Sequence, residues 1–120
     1  MAKALKILVV DDDVDVAESL ADILEFDGHE VALAHSGEEA VRHLEEKAFD
    51  IALLDVVMPE MNGVDCLRKI NELRPGTKVF MVTGYSVDEL LNQAADQGAL
   101  GVLFKPVAAT KMREILLNCA

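Results

Sequence analysis

The chain has 120 residues, the usual size of one domain, and 52% of them are hydrophobic while only 4% are aromatic. Acidic residues outnumber basic ones, 22 to 11, for a formal net charge of −11; phosphate backbones and anionic lipid surfaces repel such a chain, which argues against direct nucleic-acid or membrane binding. Cys66 and Cys119 match no zinc or redox spacing and fall in apolar helical patterns, where packing is their expected role. No apolar run exceeds the length of a strand, so a signal peptide and a membrane span are not expected, and a cytoplasmic, reducing setting is.

In chain order, residues 1–4 read as a short tail, and Leu5–Val10 as a buried aliphatic strand. Val16, Leu20, Ile23 and Leu24 then recur at helical spacing, with Gly28 as a C-terminal stop. His29–Ala34 predicts a second strand. Ser36 and Glu39 form a capping box that opens a helix burying Ala40, Val41 and Leu44. Asp50–Asp55 predicts a third strand, and a loop with Met58-Pro59-Glu60-Met61-Asn62-Gly63 leads to a helix carrying Leu67, Ile70 and Leu73 on one stripe. After the Pro75-Gly76 turn, Lys78–Thr83 predicts a fourth strand. Ser86 and Glu89 supply a second capping box, before a helix with Leu90, Leu91, Ala94 and Ala95 that ends at Gly98. Gly101–Phe104 is a short fifth strand, and Met112, Ile115 and Leu116 face inward from a last helix.

Five strand–helix repeats with short connections predict parallel strands, right-handed crossovers and a three-layer α/β/α sandwich, the whole of residues 1–120 forming a single domain. In an open parallel sheet, chemistry gathers at the carboxyl ends of the strands. Those ends carry Asp11 and Asp12 (first), Asp55 (third), Thr83 (fourth) and Lys105 (fifth), while the second ends blandly in Ala34 and His35. With the flavodoxin-like order 2-1-3-4-5, the four polar ends are consecutive neighbours and share one cleft. Two like charges ~4 Å apart repel by roughly 4 kcal/mol at an effective dielectric near 20. Lys105 cannot offset three carboxylates, so the cluster suits a hard divalent cation, Mg²⁺ above others. A carboxylate at such a place can serve as nucleophile toward phosphorus, giving an acyl phosphate. Asp55 is the candidate acceptor, Asp11 and Asp12 the metal holders, Lys105 a counter-charge and Thr83 a hydroxyl donor. Asp13 reads as a helix N-cap. His29, His35 and His43 sit on unrelated elements, away from the expected cleft, and receive no role.

Val9-Val10-Asp11-Asp12, Leu53-Leu54-Asp55-Val56-Val57-Met58-Pro59 with Asn62-Gly63, Val82-Thr83-Gly84 and Lys105-Pro106 together resemble the bacterial two-component response-regulator receiver domain, over essentially the whole chain. The resemblance implies a (βα)5 fold, Asp55 as the phosphorylated residue, and Asp11, Asp12, Asp55 and the backbone carbonyl of Val57 as ligands of Mg²⁺. It further implies Thr83 and Lys105 as the phosphate-sensing pair, a cis Lys105–Pro106 peptide, and no enzymatic activity beyond the domain's own phosphorylation and dephosphorylation. Its implied partners are a histidine kinase or phosphotransfer protein, and a downstream partner or attached output domain met through the last two helices and fifth strand, where Lys111 and Arg113 are expected to lie; a phosphorylation-dependent homodimer also belongs to this set. The sequence departs from the family at Val102, three positions before the lysine, where an aromatic switch residue is common; Phe104 or Tyr85 is expected to take its place. The competing expectation is an aspartate-nucleophile, Mg²⁺-dependent phosphatase of the haloacid-dehalogenase type, which would place a second Asp two positions after the nucleophile, where this chain has Val57.

Overall fold

Strands that are apolar on both sides of the pleat must be covered on both faces, and helices of one-sided apolarity supply the cover. The computed structural model, which describes residues 4–58, 61–84 and 88–119, resolves that requirement as five alternations. They are β1 (Lys6–Val10), α1 (Val14–Phe26), β2 (Glu30–Ala34), α2 (Gly37–Glu46), β3 (Ile51–Asp55), α3 (Gly63–Leu73), β4 (Lys78–Thr83), α4 (Asp88–Asp96), β5 (Gly101–Phe104) and α5 (Ala109–Cys119). The strands pair in parallel in the order β2-β1-β3-β4-β5, as expected.

Alternate residues of each strand feed opposite layers. Leu8, Val10, Ala52, Leu54, Val79 and Met81 pack with Ala40, Leu44, Leu67 and Ile70 from α2 and α3. Ile7, Val9, Ile51, Leu53, Val82 and Leu103 pack with Leu20 and Leu24 of α1 and with Met112, Ile115 and Leu116 of α5. Each fully buried aliphatic side chain contributes about 1.5–3 kcal/mol, and the two clusters together hold the sheet between its helical layers.

The first three strands each begin one residue later than expected, at Lys6, Glu30 and Ile51. Leu5 N–H donates to His29 Nδ1 (3.0 Å) and Lys6 N–H to Asp50 Oδ2 (2.8 Å). Asp13 caps α1, its Oδ1 accepting from Asp15 and Val16 N–H. Gly28 and Gly98 follow their helices at φ +93° and +96°, a backbone region closed to most residues. The Ser36 hydroxyl accepts from Glu39 N–H (3.1 Å), but the Glu39 carboxylate reaches His35 N–H (3.0 Å) instead of Ser36, so the capping box closes one residue further back. Val41 is half-buried, Leu73 is 39% exposed and Ala95 is exposed, contrary to the stripes drawn from spacing. Ser86 lies outside the described residues. Cys66 is fully buried, and burial pushes its thiol up to about 12, consistent with packing.

Candidate functional site

The carboxyl ends of β1, β3, β4 and β5 meet because register carries them to one level. Val10 is opposite Leu54, Asp55 opposite Val82, and Thr83 opposite Phe104. An open cleft of about 490 Å³ lies there, lined by Asp11, Asp12, Asp13, Val16, Asp55, Val57, Gly84 and Lys105. Thr83 ends β4 fully buried just behind that lining, and its carbonyl accepts from Lys105 N–H (2.8 Å). The Lys105–Pro106 peptide is cis. Five of the six expected site residues therefore line the cleft, and the sixth stands one residue from Gly84 in its wall.

Asp11 and Asp55 are nearly buried, at 1% and 6% exposure, whereas Asp12 is exposed. One carboxylate oxygen from each of Asp11, Asp12 and Asp55 lies within 4.8 Å of the others. Lys105 Nζ approaches Asp11 Oδ2 to 2.7 Å and Asp55 Oδ2 to 3.5 Å. The shorter contact makes Lys105 the cation that faces the buried Asp11 Oδ2. Asp11 Oδ1 is satisfied by Asp13 N–H at 2.9 Å.

This crowding shows in the acidities. Burial first, and then the neighbouring charge of Asp11, push the Asp55 carboxyl up to about 6, while Lys105 and the N–H of Val57 pull the other way. Burial acts to lower the Lys105 ammonium, but its contact with Asp11 and the charges of Asp11 and Asp55 outweigh it, so its pKa stands above the ordinary value. A carboxylate held partly against its charged form and three hard oxygen donors on one open wall, with a single lysine among them, fit a small divalent cation.

Two contacts behind this wall are not given by spacing. A Cβ on Gly63 would collide with the Asp55 carbonyl oxygen and come within 2.8 Å of Met81 Cε, so α3 begins in direct backbone contact with the end of β3. The Asn-Gly pair was visible in the sequence, but the contact is set by tertiary approach. His35, expected to be remote, places Nδ1 3.1 Å from the Asp11 carbonyl oxygen. Its position at the end of β2, the neighbour of β1, was the available signal.

Arg113 departs from expectation, pairing with Asp27 at the end of α1 at 2.8 Å and so turning away from the α4–β5 side. Lys111 does lie on that side, lining a hollow of about 290 Å³ with Val102, Leu103, Phe104, Pro106, Val107 and Ala108. Val102 is half-buried against the α2–α3–α4 cluster, and Phe104 is 57% exposed. Tyr85 lies outside the described residues. On the far side of Lys105, an apolar groove of about 450 Å³ separates α1 from the chain after β5, lined by Val16, Leu20, Ile23 and Val107 among others.

A parallel five-stranded sheet with an acidic cleft and a facing lysine at its carboxyl rim is the form of a phospho-acceptor switch. The family described as the response regulator receiver domain matches residues 7–117, and the chain belongs to that family, as a receiver domain of two-component response regulators. It is 40% identical over 112 residues to the transcriptional regulatory protein ZraR of Salmonella typhimurium LT2, covering 93% of this chain and 25% of that protein. The chain thus spans about a quarter of the length of such curated relatives. The CheY-like response regulator receiver domain protein of Methanospirillum hungatei JF-1 superposes with a TM-score of 0.89 at 37% identity, over 98% of this chain and 97% of that one. A response regulator of Burkholderia pseudomallei, solved with a phosphorylated aspartic acid, a calcium ion and citrate, superposes with a TM-score of 0.86 at 28% identity, over 92% of this chain and 65% of that one. The phosphatase alternative finds no support, and the position it needs is occupied by a 44%-exposed valine, Val57. No described helix is long and apolar enough to cross a membrane.

Proposed function

We propose that Asp55 accepts a phosphoryl group from a phosphohistidine on a histidine kinase or phosphotransfer protein, with Mg²⁺ held by Asp11, Asp12, Asp55 and the Val57 carbonyl. The observation that carries the reading is the convergence of Asp11, Asp55 and Lys105 Nζ within salt-bridge range at the rim of the sheet. When bound, Mg²⁺ would supply charge neutralisation for the carboxylates and for the phosphoryl oxygens. An Asp55 oxygen forms the new O–P bond as the donor's P–N bond breaks, and the leaving imidazole takes up a proton. Lys105 is placed to follow the negative charge onto the phosphoryl group, and the Thr83 hydroxyl to donate to one of its oxygens. The related Burkholderia regulator, with its phosphorylated aspartate and calcium ion, supports the same chemistry here.

Residues 1–120 act as one cytoplasmic domain with no turnover of other substrates, because Val57 offers no general base to release the acyl phosphate. The donor docks over the groove beside Lys105. Its α1 wall sets Asp15 beside Val16, Leu20 and Ile23, and α1 has no basic residue between Val14 and Phe26, so it suits a partner helix that is apolar with a basic border. Output passes through α4, β5 and α5, by contact with a partner, an attached domain or a second copy. Phe104, outward beside Thr83 in register, takes the role that Val102 cannot fill.

Incubation with acetyl phosphate and Mg²⁺ followed by intact-mass measurement tests the reading. One added phosphoryl group is expected on the unaltered chain and none on Asp55→Asn. Equal labelling of the two would end the assignment. Phe104 is expected to change its exposure when a phosphate mimic binds; if its rotamer stays fixed while Thr83 moves, the signal runs elsewhere.

A further inference from the structure

The main chain of Asp11 is held from the side by the end of β2. Its N–H donates to Ala34 O at 3.0 Å, and its carbonyl oxygen stands 3.1 Å from His35 Nδ1. A carbonyl oxygen can only accept, so Nδ1 carries the proton in this contact. His35 is itself fixed, because its N–H donates to Glu39 Oε2 at 3.0 Å and Glu39 belongs to the capped first turn of α2. A continuous line therefore runs from Glu39 through His35 to the peptide that joins Asp11 to Asp12. That peptide decides where two of the three clustered carboxylates point. Asp11 is 1% exposed and its Oδ1 is already committed to Asp13 N–H, so rotation of the peptide would disturb the Asp13 cap as well as the cleft.

We propose that His35 is a positioning residue for the acidic pair. Through Nδ1–H it holds the Asp11 carbonyl, and with it the Asp11–Asp12 peptide, in the orientation that aims both carboxylates into the cleft. The proposal rests on the cation-binding reading of that cleft. It gives a role to β2, the strand whose carboxyl end sends no residue to the cleft lining.

Titration of Mg²⁺ into the full chain by calorimetry, with His35→Ala, His35→Gln and His35→Asn, separates this from a merely structural role. Asn carries an amide nitrogen at the same bond distance from Cβ as Nδ1, whereas Gln carries it one bond further out. His35→Ala and His35→Gln are expected to bind Mg²⁺ about tenfold more weakly, the low end of what loss of a ligand-orienting group costs. His35→Asn is expected to stay within about twofold of the unaltered chain, given a retained donor. Amide hydrogen exchange at Asp12 and Asp13 in metal-free protein supplies an independent arm, expected to quicken in the Ala and Gln variants and to be restored by Asn. Unchanged affinity and exchange in His35→Ala, or an Asn variant as impaired as the Ala one, overturns the proposal. If the unaltered chain takes up no Mg²⁺, the cation reading itself fails, and the exchange arm alone decides the positioning role.

Discussion

Leu54 and Asp55 are consecutive residues of β3, both nearly buried, and they act on the fold in opposite senses. Leu54 is enclosed by the α2–α3 cluster and gains from losing water. Asp55 also loses most of its water, but as a carboxylate beside Asp11 it is held partly against its charged form. One residue of chain separates the part of the sheet that stabilises the domain from the part that stores electrostatic cost for a ligand to relieve. The difference teaches that the rim is tolerable because the interior below it is so thoroughly apolar.

The comparison can be broken from either side. Leu54→Ala should lower the unfolding free energy by about 2–5 kcal/mol in denaturant titration, the usual cost of a large cavity in a closed core; a loss below about 1 kcal/mol would mean that the interior yields more than its packing suggests. Gly63→Ala should cost about 1–3 kcal/mol, since backbone at the end of β3 cannot step aside as a flexible side chain can. Asp55→Asn should act the other way. With a folded pKa of about 6 against an ordinary 3.8, the metal-free fold holds the proton more tightly than the unfolded chain does. Stability contributed at this site is therefore intact below pH 3.8 and falls as pH rises through about 6. At neutral pH the deficit is about 1–3 kcal/mol, the lower figure allowing for solvent screening in an open cleft. Thermal melts of Asp55→Asn should exceed those of the unaltered chain at pH 7.5 without Mg²⁺, and the gap should close below pH 4 or on adding Mg²⁺. A gap that is the same at every pH would remove the electrostatic explanation. Smallest of all, Arg113→Ala should leave the melt unchanged within error despite its 2.8 Å contact with Asp27, because that pair is exposed.

Four of the five strands were legible because their apolar runs stop abruptly at a carboxylate, a hydroxyl or a lysine, and the cleft was legible because those stops miss only the second strand. Gly28, Gly98 and the Asp13 cap follow from local backbone chemistry, so they too could be read directly. Leu73 and Ala95 could not. Helical spacing says which residues share a stripe, but not where a helix overhangs the sheet and its stripe returns to water. The His35–Asp11 contact spans 24 positions and the Arg113–Asp27 pair spans 86. Both depend on which helix ends and loops become neighbours, and no local pattern encodes that.

Gly63 leaves no gap between the first turn of α3 and the carbonyl of Asp55, with Val56 Cα also only 3.0 Å from where a side chain would begin. The junction of β3 and α3 thus behaves as a fulcrum, since neither partner can shift without carrying the other. Past β4 and β5, by contrast, Gly84 adds no side chain and Phe104 stands in the open, so a single hydrogen-for-methyl choice leaves one side of the rim closed and the other with room.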